Sequence, residues 1–111
     1  MSRGLTRAGV GSLLMLTLTG LGCRKGEPGG DLVLRGRGVY MTSCIACHNP
    51  DPSRPGNLGP AVQGASLKLL RLRVLKAQYP PGYTPKRTTR LMTPLPHLAG
   101  EIDALHAFLN R

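Results

Sequence analysis

The sequence predicts an all-α domain, about three helices wrapped around one covalently bound prosthetic group, with long loops between them. Three observations lead there. Residues 44–48 read Cys-Ile-Ala-Cys-His, two thiols and an imidazole at a fixed spacing. Apolar residues recur at helical steps across 65–78 and again across 98–109. The stretches at 49–60 and 79–90 are crowded with Pro and Gly, which exclude regular structure.

C-x-x-C-H is the spacing of covalent haem attachment. At the end of a helix, two thiols three positions apart lie on one side, so Cys44 and Cys47 can each add to a vinyl group of the same porphyrin. The imidazole of His48 then sits beneath the iron. One haem c is therefore the expected cofactor, fixed laterally by two thioethers and axially by a nitrogen. Other uses of C-x-x-C call for other surroundings. Structural zinc takes four Cys or His ligands in a paired arrangement, and the chain has no second knuckle. A thioredoxin-like dithiol sits in a βαβ pattern, and none is present. A chance match or a simple disulfide is the remaining alternative.

Composition agrees with a cofactor-centred core. The chain has 111 residues with one Phe, three Tyr and no Trp, which is room for one domain but little apolar bulk to fill it. A large flat hydrophobe bonded to the chain acts as the staple that such a small domain needs. The formal charge is +10, of which Arg3 and Arg7 of the leader contribute two, leaving +8. The basic residues are spread over several segments without interleaved aromatics, which argues against nucleic acid and for an acidic redox partner or a solvated surface.

In chain order, residues 1–22 read as an export signal. Arg3 and Arg7 form the positive start, and Val10 to Leu21 is an apolar run too short to span a bilayer comfortably. It ends Leu18-Thr19-Gly20-Leu21-Gly22-Cys23, similar to a bacterial lipoprotein cleavage box in which the Cys becomes lipidated. Gly20 stands where that box prefers Leu. Ordinary signal cleavage, with Cys23 as a leftover thiol, is the alternative. Either way the destination is extracytoplasmic, on the periplasmic side, and a lipidated Cys23 would anchor the protein to a membrane. Residues 23–30 are then the lipidated Cys and a flexible tether, whose last seven residues span roughly 15 Å. The folded domain is expected over 31–111.

Asp31 is a candidate N-cap for a first helix running to about Cys47. Gly36, Tyr40 and Cys44 recur at four-residue steps on one stripe, and a helix-interior Gly implies that another backbone crosses there. In the loop 49–60, the carbonyl of Pro60 is the candidate acceptor for the second nitrogen of His48, an interaction that orients an axial imidazole and raises its basicity. A second helix is expected over Ala65–Gln78, with Leu67, Leu70, Val74 and Ala77 on its apolar face and Lys68, Arg71, Arg73 and Lys76 on a solvated basic side. Pro80 ends it. In the following loop, Tyr79, Tyr83, Lys86, Arg87 and Arg90 offer donors suited to haem propionates. Met92 is the only Met downstream of the haem motif, and its thioether makes it the expected sixth ligand, with His97 as the rival. The last helix runs from about Gly100 to Arg111, turning Leu98, Ile102, Leu105 and Leu109 inward with Phe108 beside them.

Taken together, the haem motif, Gly59-Pro60, Met92 and the terminal helix make residues 31–111 resemble a small monohaem class I cytochrome c of bacterial lipoprotein type. The resemblance implies a cytochrome c fold in which Gly36 and Tyr40 of the first helix cross Leu105 and Phe108 of the last, and it supports Pro60 as the partner of His48. Family members often place Pro directly after the ligand Met and a Ser cap on the last helix; here Thr93 intervenes and Ala99 replaces Ser. The function implied is one-electron transfer by a monomer with His48 and Met92 as axial ligands, not enzymatic catalysis. A haem-based peroxidase or gas sensor with an open or weak sixth position is the rival class.

Overall fold

The computed structural model describes residues 28–111 together with Gly9 and Gly22. The leader, Cys23 and most of the tether lie outside the described residues. Among those described there are three α-helices and no strand: α1 (Pro28–Ser43), α2 (Leu67–Lys76) and α3 (Ile102–Leu109), the last entered through a 3₁₀ turn at Pro96–Glu101. None of these helices is long and apolar enough to cross a membrane.

Helix α1 starts earlier and stops earlier than its sequence suggests. It begins at Pro28, a residue whose fixed φ suits a first helical position, so Asp31 lies within the first turn, where its charge meets the positive end of the helix dipole. At the other end, Cys44–Cys47 leave the helix as a turn, with the amides of Cys47 and His48 both donating to the Cys44 carbonyl at 3.2 and 2.9 Å. The two thiols therefore sit on a tight turn after the helix.

Helices α1 and α3 pack across Gly36. A Cβ there would collide with the Ala104 carbonyl and come within 2.9 Å of Phe108 Cβ, so only glycine lets the backbones approach this closely. One turn on, the Tyr40 and Phe108 rings meet at 5.4 Å between centroids, and both are buried. The core built on this crossing contains Leu70, Val74, Leu98, Ile102, Leu105 and Leu109, which includes the whole inward stripe expected of the last helix. Arg35 clamps the same interface from outside with two 2.7 Å bonds to the Glu101 carboxylate.

Helix α2 is shorter than the expected 65–78. Ser66 caps it, accepting from the Leu69 amide at 3.2 Å, and Ala77 closes it in the left-handed region at φ 55° and ψ 30°. Its orphan carbonyls are then met from within and without: Ala77 and Gln78 amides donate to Arg73 and Leu72, and the Leu95 amide reaches across to Val74 at 2.6 Å.

Candidate functional site

A cavity of about 610 Å³ opens between the Cys44–His48 turn, the 58–66 loop, α2, the 79–95 segment and α3. Its size falls within the roughly 300–1,000 Å³ usual for cofactor pockets, and its lining is mostly apolar, with Leu69, Leu70, Val74, Leu95, Leu105 and Leu109 in the walls. Cys44, Cys47, His48, Pro60, Tyr83 and Met92 all border it. The sequence placed these residues in one site, and the fold brings them to one cavity from three separate segments.

His48 is held in a defined state. Its Nδ1 donates to the Pro60 carbonyl at 2.9 Å, because a carbonyl can only accept, so a lone pair on the ring can only be on Nε2. The loop reaches this position through the Cys47 carbonyl, which receives the amides of Leu58 and Gly59 at 3.3 and 2.9 Å. Gly59 is buried flat against the imidazole, and a Cβ at that position would stand 2.5 Å from Nδ1. The missing side chain is what allows the ring and the loop to share this space.

The Cys44 thiol is partly buried, and desolvation, followed by the neighbouring Cys47, pushes its pKa up to about 11. It is therefore a neutral thiol at physiological pH. Cys44 and Cys47 are both free. No group of three or more His, Cys, Asp or Glu side chains among the described residues is placed to share a metal ion, so the donors available here are an imidazole, a thioether and two thiols.

Met92 is half-buried on the cavity wall and packs against the core, whereas His97 is exposed at the start of the 3₁₀ turn and does not border the cavity. Of these two residues, Met92 alone borders the cavity. Comparison with protein families, with curated proteins and with solved structures finds no match.

One contributor was not foreseen. Arg73, expected on the solvated side of α2, is half-buried and borders the cavity. Its guanidinium lies 4.3 Å from the centroid of the Tyr79 ring and donates to the Ala77 carbonyl at 2.5 Å, while Tyr79 stacks on Tyr83 at 5.3 Å. The αL turn at Ala77 folds Tyr79 back onto α2, and helical periodicity carries no signal for such a return. Further along, Lys86 Nζ donates to the Ala61 carbonyl at 2.8 Å and an Arg87 nitrogen to the Gly56 carbonyl at 3.3 Å, fastening the 83–91 segment to the loop that carries Pro60.

Proposed function

We propose that this protein is a one-electron carrier built on a single covalent haem c, tethered outside the cytoplasm through Cys23. The observation that carries the reading is the convergence of Cys44, Cys47, His48 and Met92 on one apolar cavity, with His48 already oriented by Pro60. These residues fit the group: the two thiols would hold it as thioethers, and His48 Nε2 and the Met92 sulfur would be its axial ligands. Bound there, the haem supplies a ferric–ferrous couple that exchanges one electron.

The remaining work belongs to the chain. Pro60 retains the Nδ1 proton of His48 and so strengthens Nε2 as a donor. The leucines of α2 and α3 would shield the bound group from water and disfavour its more positively charged ferric state, which together with Met92 as a ligand would favour a fairly high potential. Arg73, Tyr79 and Tyr83 set a cation and two phenols into a cavity wall where the carboxylates of such a cofactor would need partners. With His48 and Met92 both holding it, the metal would be closed to small substrates.

The test is to export the full chain in a host with a haem-attachment system and to record its mass and spectrum. The expected product is coloured, heavier by one haem, and shows the charge-transfer band of Met-to-ferric-iron ligation. Met92→Ala removes the band and leaves the adduct; His48→Ala abolishes the low-spin spectrum. A high-spin wild type that rapidly binds carbon monoxide would favour the peroxidase or gas-sensing class instead. A colourless product without the mass increase would end the haem reading.

A further inference from the structure

A second hollow, of about 390 Å³, adjoins the large cavity and shares Leu58, Lys86, Arg87, Thr89 and Leu91 with it, while Asn57 and Thr88 belong to the hollow alone. Its polar walls are Asn57, Lys86, Arg87, Thr88 and Thr89. The charge here is one-sided. No Asp or Glu occurs anywhere in residues 52–100, and the ion pairs among the described residues are Arg35–Glu101 and Arg71–Asp103, which leave Lys86 and Arg87 without a carboxylate.

Both cations are also held in place. Each is tied to a backbone carbonyl of the facing loop, Lys86 to Ala61 and Arg87 to Gly56, and each spends one donor in doing so. A Lys ammonium carries three donors and an Arg guanidinium five, so most of their N–H groups remain for a ligand. Ordering two long side chains is a main cost of binding a small ion, and the fold has already met it.

From these features we infer that the hollow is a binding site for a small tetrahedral oxyanion, phosphate or sulfate in kind. Its donors are of several shapes: a point charge, a planar fork, an amide and two hydroxyls. A planar carboxylate is satisfied by the fork alone, whereas four oxygens directed to the corners of a tetrahedron use donors from more than one plane. Occupancy would bridge residues 86–89 to the 56–61 loop and so tighten the clasp over the segment that holds His48. Lys86 and Arg87 also border the large cavity, whereas Asn57 and Thr88 border the hollow alone, so occupancy here is read at Asn57 and Thr88 separately from any group in the large cavity.

The test titrates the exported full chain with sodium phosphate at ionic strength held constant with sodium chloride, following backbone amide shifts. The expected result is a saturable shift confined to Asn57, Thr88, Thr89 and their neighbours, with a thermal midpoint that rises with phosphate as mass action requires. Arg87→Gln is expected to weaken binding about tenfold, the loss of a charge-assisted bond, and Arg87→Lys to recover part of it. Lys86→Gln, at an exposed position, gives a second reading that does not disturb packing. Shifts reproduced by chloride alone, binding unaffected by either Gln variant, or acetate binding as tightly as phosphate would each overturn the inference. Colourless protein that still binds phosphate would remove the haem reading and leave this one in place; coloured protein with no saturable response would do the reverse.

Discussion

His48 and Gly59 show how little tolerance the site has at the level of single residues. Replacing Gly59 with Ala forces a methyl into the imidazole ring, so either the ring leaves Pro60 or the loop leaves Cys47. We expect Gly59→Ala to cost about 1–3 kcal/mol in thermal unfolding, as an overpacked core position does, and, if the proposed haem is bound, to perturb its spectrum as well. Tyr40 offers a pH test. Its hydroxyl donates to the Asn49 carbonyl at 2.6 Å, and burial pushes the phenol up from 10.0 to about 12. A folded-state pKa above the unfolded one gives stability that is complete below pH 10 and is lost as pH rises toward 12. Tyr40→Phe should therefore lower stability at neutral pH by about 1–3 kcal/mol, by leaving the Asn49 carbonyl without its donor, while flattening the alkaline loss. Denaturant titrations of both proteins at pH 7 and pH 11 check this; parallel pH curves would count against it. At this scale the gathering of Cys44, Cys47 and His48 at one cavity was legible because they are near neighbours in the chain. The Gly59 contact was not, because it depends on where a loop eleven residues on from His48 comes to rest.

The elements themselves depend on their ends. Helix α2 terminates in an alanine at φ 55°, a conformation costing an L-residue about 1–2 kcal/mol, and Ala77→Gly should stabilise the protein by roughly 0.5–1 kcal/mol once the extra freedom of glycine in the unfolded chain is offset. Equal or lower stability in the variant, measured by denaturant midpoint, would show that the cap is unstrained. The same cap explains why periodicity overran the helix. Lys76, Ala77 and Gln78 contain no Gly to mark the stop, and Pro80 stands three residues beyond it. The front of α2 was missed for a different reason: Ser66 is a good cap, but Ala65 before it has ordinary helical character. At the last helix, Pro96 opens a 3₁₀ turn that takes up Leu98 before α3 begins, so the apolar stripe was legible while the change of pitch within it was not. For α1, Gly36 and Tyr40 announced a close crossing, and its partner could be named only through the family resemblance, since the two helices stand far apart in the chain.

Across the molecule, charge and cavity follow different rules. Every acidic side chain lies outside residues 52–100, so the charges that α2 and the 79–95 segment bring to the site are all basic, with Leu58 at 49% and Leu91 at 61% exposure nearby. Apolar groups set among cations suit a fast, weak encounter with an acidic donor or acceptor, and we expect its association rate to fall steeply as ionic strength rises. Stopped-flow rates with an acidic redox partner that do not change between low and high salt would exclude this steering. The net charge behind that expectation was plain in the composition. The cavity was not, because its walls come from segments whose juxtaposition is set by the α1–α3 crossing and by loop returns such as the one that brings Arg73 over Tyr79. The single bond from the Leu95 amide to Val74 has a mechanical meaning in this setting. It works as a button: it fixes the Met92 strip to α2 at one end, while the Lys86 and Arg87 bonds fasten the strip at the other and Met92 itself packs against the core. Were Met92 a ligand to a bound group, its release would require only this strip to lift, with the helical frame undisturbed.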